Sequence, residues 1–112
     1  MTNEELNTAV YDKAFSEQER FRSWLLSQPP EEILNHCYEY TVREDILVSL
    51  EFESFSDKQC QALLKPPDLM SDVFADFSKL ETGHMQNILT TIESRANAII
   101  RKDFAKTQNE SR

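Results

Sequence analysis

Apolar residues in the first quarter of the chain fall at Leu6, Val10, Ala14, Phe21 and Leu25, with Tyr11, Phe15 and Trp24 widening the stripe to both sides. Intervals of three, four and seven put these positions on one face of an α-helix, which predicts a helix over about residues 4–27. Two proline pairs, Pro29-Pro30 and Pro66-Pro67, then divide the chain into three segments, because proline breaks helix interiors and pushes the residue before it into extended backbone. In the second segment Pro30 suits a first helical turn, and Glu31 and Glu32 complement the positive end of a helix dipole. The apolar positions there run Ile33, Leu34, Cys37, Tyr38 and then change phase to Ile46, Leu47, Leu50. The spacing predicts either a bend near Tyr40–Arg43 or two abutting helices, with the β-branched Thr41-Val42 as the weak point.

"FSDKQCQALLK" follows, with Ser56 three residues before Gln59. At that separation each side chain can satisfy the other's free backbone N–H, so a short third helix is expected from Ser56 to about Lys65. Beyond Pro67, the positions Leu69, Val73, Phe77, Leu80, His84, Ile88, Ile92, Ala96 and Ile99 step by three or four. That is the pattern of one long amphipathic helix through Gly83, roughly 45 Å if straight. Gly83 is where it would bend or break, since glycine costs about 1 kcal/mol there relative to alanine. A helix of this length exceeds what a compact small domain needs, so a protruding apolar stripe would call for a partner, and a homodimer through the C-terminal helix is an expectation. The expected fold is therefore all-α: a small bundle of four to five helices with a long C-terminal helix, one domain over residues 1–105, and a disordered polar tail over 106–112.

Composition supports this picture and narrows the function. The 112 residues are 39% hydrophobic and 29% charged, which fits a folded chain with a real core. A single glycine, Gly83, argues against hairpins, phosphate loops and nucleophile elbows, all of which need backbone that tolerates positive φ or close approach. No run of about 18 apolar residues is present and the N-terminus lacks a basic start followed by an apolar stretch, so no membrane span or secretion signal is expected, and a cytoplasmic location is. Cys37 and Cys60 are expected as buried thiols in a reducing compartment.

The net charge of −8 is unevenly distributed. Residues 29–55 hold seven acids (Glu31, Glu32, Glu39, Glu44, Asp45, Glu51, Glu53) against Arg43 alone, whereas residues 81–112 hold five bases and four acids. A polarised field of this kind disfavours direct nucleic-acid binding and favours a basic protein partner.

Few side chains combine into chemistry. His36, Cys37, Cys60 and His84 are the full set of histidines and cysteines, and they lack the short paired spacings of a zinc site. Glu81 and His84 stand at i and i+3, and Glu32 and His36 at i and i+4, which touches the pattern of helical di-iron carboxylate sites. Such a site needs Glu-x-x-His twice plus two further carboxylates. His84 lies on the apolar stripe and reads as a buried structural histidine, Cys37 as core, and no metal or cofactor is expected. Cys37 also points about 100° away from His36 around the helix, which removes a Cys–His nucleophile. "YTVRED" remains as a concentrated knot in which Arg43 is the lone base of the acidic stretch. Arg43 either neutralises its neighbours and pins the bend, or the knot is a recognition surface, with Glu39, Tyr40, Arg43, Glu44, Asp45, Glu51 and Glu53 as candidate partner-binding residues.

The run "PPEEILNHCYEYTVREDIL", with "FSDKQCQALLK" and "DVFADFSKLETGHM", resembles a small uncharacterised family of gut Gram-positive bacteria, a domain of unknown function, over roughly residues 10–100. The resemblance implies accessory cargo of conjugative or other mobile elements and assigns no catalytic residue. A non-enzymatic protein-binding module is the resulting expectation. One version imitates a phosphate backbone and blocks a host defence nuclease or another nucleic-acid-handling enzyme, and another is an adaptor or regulatory module without inhibitory activity. The competing class is a metal-dependent helical enzyme using Glu32, His36, Glu81 and His84.

Overall fold

The computed structural model describes residues 1–80 and 83–110, with side chains through Gln108. It contains five helices, α1 (Asn3–Leu26), α2 (Pro30–Phe52), α3 (Asp57–Leu63), α4 (Leu69–Leu80) and α5 (His84–Glu110), and no strand among the described residues. The protein is all-α, with a long C-terminal helix. Where chain length predicts one domain over 1–105, contacts divide the chain into two compact units, Met1–Ser78 and Lys79–Arg112, which are described separately.

Local sequence sets most helix boundaries in the first unit. Thr2 and Glu5 form a capping box at the start of α1: Thr2 Oγ1 accepts from the Glu5 amide at 3.1 Å, and the Thr2 amide donates to Glu5 Oε1 at 3.2 Å. Ser56 and Gln59 do the same for α3, as their spacing predicts. Pro30 occupies the first turn of α2, with Glu31 and Glu32 beside it.

At two places the structure chooses between the expected alternatives. No break interrupts α2 at Tyr40–Arg43, which overturns the two abutting helices; Thr41 turns its hydroxyl back to donate to the Cys37 carbonyl at 3.1 Å, a bond that a Ser or Thr hydroxyl makes inside a helix and that favours a local bend. The change of apolar phase has a different origin, since Leu34, Cys37 and Tyr38 are exposed and the buried positions of α2 are Val42, Arg43 and Leu47. Further on, the long apolar repeat is divided where Gly83 is expected to bend or break it: α4 ends at Leu80, Gly83 is not helical, and α5 begins at His84. Lys106–Glu110, expected in a disordered tail, continue α5 as helix.

α1 packs along α2 and α3. Leu6, Val10, Cys60 and Leu69 form one buried cluster, backed by Leu50, Phe55, Leu63, Leu64 and Val73. Ala14, Leu47 and Met70 form a second, backed by Tyr11, Ile46 and Leu50. Asn7 ties the segment between α2 and α3 to this core: its Oδ1 accepts from the Phe55 amide at 2.9 Å and its Nδ2 donates to the Phe55 carbonyl at 3.0 Å. One side chain thereby satisfies both polar groups of a residue that has left helical hydrogen bonding.

In the second unit, α5 runs 27 residues with its apolar stripe in water, Ile88, Ile92 and Ile99 all being exposed. His84 is exposed too, which corrects its reading as a buried structural histidine. Its helix begins there.

Candidate functional site

α2 presents Val42, Asp45, Ile46, Ser49 and Leu50 on one face, at intervals of three and four, and α4 presents Leu69, Val73 and Phe77 at intervals of four. With Phe55 and Leu63 at its end, these residues line an open groove of about 450 Å³ inside the first unit. Apart from Asp45 and Ser49 its lining is apolar. Val42 and Leu69 are buried, Ile46, Leu50, Phe55, Leu63 and Val73 half-buried, and Asp45 and Phe77 exposed. This gradient from floor to rim suits a cleft that receives an apolar side-chain row and leaves its edges wet. Asp45 of α2 is the acid in the groove lining; Asp72 and Asp76 are exposed on α4, one position before Val73 and Phe77 and about 100° around the helix from them.

Behind the groove, on the α1 side of α2, lies a buried polar seam. Arg43 is 2% exposed. Its Nη2 and Nε meet Glu39 Oε2 at 2.7 and 2.9 Å, and its guanidinium carbon stands 4.1 Å from the Phe21 ring centroid. Nη1 faces Asp68 Oδ1 at 3.8 Å, and Asp68 Oδ1 itself accepts from the Ser71 amide at 3.2 Å in the first turn of α4. Gln18 donates to the Tyr40 carbonyl at 3.3 Å and to Glu44 Oε1 at 3.0 Å. Glu17 Oε1 accepts from the Met70 amide at 2.8 Å, and its other oxygen pairs with Lys13. A carboxylate from α1 therefore caps the start of α4, where free amides and the helix dipole favour negative charge.

The candidate partner-binding set is distributed over three places. Glu39 and Arg43 pair in the seam, and Tyr40 and Glu44 close its edge. Burial raises the Tyr40 phenol above its ordinary value, with the Glu44 hydrogen bond and charge adding to the shift and Arg22 opposing it. Asp45 lies at the groove rim. Glu51 and Glu53 line a second, more polar hollow with Asn3, Glu4, Asn7, Thr8 and Tyr11. The pattern around "YTVRED" gave no hint that Arg43 would be buried under α1. Glu17 and Gln18 were missed as well, although the seven-residue gap between Ala14 and Phe21 in the α1 stripe marks the turn where they are buried.

His36 sits on the seam's outer end, with Nε2 at 3.6 Å from Glu32 and Nδ1 at 4.0 Å from Glu39, and the Trp24 ring edge-on at 5.2 Å. Glu81 lies outside the described residues. Among those described, no group of three or more His, Cys, Asp and Glu side chains is placed to hold a metal ion. Cys60 is buried but Cys37 is exposed, which corrects the reading of Cys37 as core; the face of α2 that packs is set by Val42 and Leu47 instead. No helix among the described residues is long and apolar enough to cross a membrane.

The arrangement defines a class: a small all-helical chain that carries, among its described residues, a mostly apolar groove with Asp45 at its rim. The chain belongs to the family described as "Protein of unknown function (DUF3848)", whose model matches residues 6–100. Neither a curated protein nor a solved structure matches it.

Proposed function

We propose that the protein is a non-catalytic binding module whose α2–α4 groove receives an amphipathic helical segment of a partner, with apolar residues seated on Ile46, Leu50 and Val73 and a basic residue facing Asp45. The groove carries this reading: it is a preformed, mostly apolar channel between two helices, the shape used for helix-in-groove recognition. Charge supports the basic flank. Residues 1–80 hold seven bases and sixteen acids, a balance of −9, which attracts a positive partner and speeds encounter.

A nucleic-acid-handling enzyme, including a host defence nuclease, is the partner class with the basic faces that this charge fits, and a role as accessory protein of a mobile element accords with it. An adaptor without inhibitory activity uses the same groove.

The test is methyl NMR of the full chain titrated with two amphipathic helical peptides of equal apolar face, one flanked by lysine and one by glutamate. Shifts at Ile46, Leu50 and Val73 with the lysine peptide alone, weakening as salt rises, support the reading. Asp45→Lys is expected to reduce that binding about tenfold, the scale of one favourable ion pair turned repulsive. Absence of groove shifts, or binding indifferent to salt and peptide charge, overturns it.

A further inference from the structure

We infer that α5 is a self-association helix that pairs with the α5 of a second copy of this chain. Met85, Leu89, Ile92, Ala96 and Ile99 alternate intervals of four and three. That is the repeat with which helices interlock side chains along a shared seam. Ile88 and Ile100 flank it and are exposed. Seam and flank together make a continuous apolar face on a helix of 27 residues.

Three observations select a second copy as the cover. A lone helix about 40 Å long cannot bury its own stripe and draws little stability from propensity alone. The seam is open along its length, with Met85, Leu89, Ile92 and Ile99 each 47–73% exposed over about four helical turns, so a second helix can lie against all of it. Charge permits the pairing: residues 81–112 hold five bases and four acids, so two such helices meet almost without the repulsion that the −9 of residues 1–80 imposes. A two-fold arrangement uses the same stripe twice and needs no other sequence.

Sedimentation of the full chain over a concentration series tests this. The expected result is a mass of two chains that falls toward one on dilution, with helical signal falling alongside it. Added salt leaves the dimer intact or tightens it, opposite to its effect on groove binding. The double variant Ile92→Glu, Ile99→Glu is expected to be monomeric, whereas Ser94→Glu, on the opposite side of α5, keeps the wild-type mass. A monomer at concentrations up to ~100 μM, where a seam of this length should associate, overturns the inference, and if α5 is then still helical its cover is something other than a second copy. A dimer that survives the double variant overturns it equally.

Discussion

Replacing Arg43 by methionine removes a positive charge from a position that is 2% exposed while retaining most of the side chain's length. Two charge-assisted bonds to Glu39, at 2.7 and 2.9 Å, disappear, together with the stacking on Phe21 at 4.1 Å. Breaking a buried pair by removing one partner costs about 3–5 kcal/mol, because the other charge is left poorly solvated. Glu39 retains 19% side-chain exposure and Asp68 52%, so water recovers part of that loss, and the retained methylenes avoid a cavity. An expected destabilisation of about 3 kcal/mol follows, a large share of the roughly 5–15 kcal/mol that holds a domain together. Urea unfolding followed by circular dichroism reads it as a lower midpoint with an unchanged slope. Asp45→Asn, at the exposed groove rim, should stay within about 0.5 kcal/mol of the wild type. If Arg43→Met unfolds at the wild-type midpoint, the seam is not structural and Arg43 returns to the candidates for partner recognition.

Asn7→Ala removes both bonds to the Phe55 backbone and should cost about 2 kcal/mol, with faster amide exchange at Phe55 as the local signature. Glu17→Ala leaves the buried Met70 amide without its acceptor and should cost about 2–3 kcal/mol, whereas Glu17→Gln keeps an acceptor oxygen and should recover most of the loss, both read by thermal unfolding. Because the Tyr40 phenol is raised in the fold, the folded state holds its proton more tightly than the unfolded one. Its stabilising contribution is complete below the ordinary value of about 10 and is lost as pH climbs through the raised value. Ultraviolet titration should show one late phenolate that Tyr40→Phe abolishes, and a titration unchanged by that substitution would contradict the burial of this ring.

Much of the fold is legible because helix formation is decided within a few residues. The proline pairs place the breaks, the Ser56–Gln59 spacing places the start of α3, and the apolar intervals of α1 give its extent to within a residue or two. The site is less legible. Periodicity shows that a stripe exists, but not which neighbour covers it, so Cys37 and His84 read as core and are exposed. It also treats polar and charged residues as surface, so Glu17 and Gln18 go unassigned and Arg43 stays between scaffold and recognition surface, although all three are among the most buried side chains in the first unit. Each is buried because a second helix supplies its counterpart: Met70 from α4 for Glu17, Tyr40 and Glu44 from α2 for Gln18, Phe21 from α1 for Arg43.

The amino-acid order alone determines a row of four to five helices, the caps of the first and third and an acidic excess, since hydrogen bonding between near neighbours, dipole complementarity and net charge need nothing from distant residues. Tertiary structure decides which acids are scaffold and which are rim, and it creates the groove, because α2 and α4 are separated along the chain by α3 and two prolines and define a cavity only once α1 has drawn them into one unit.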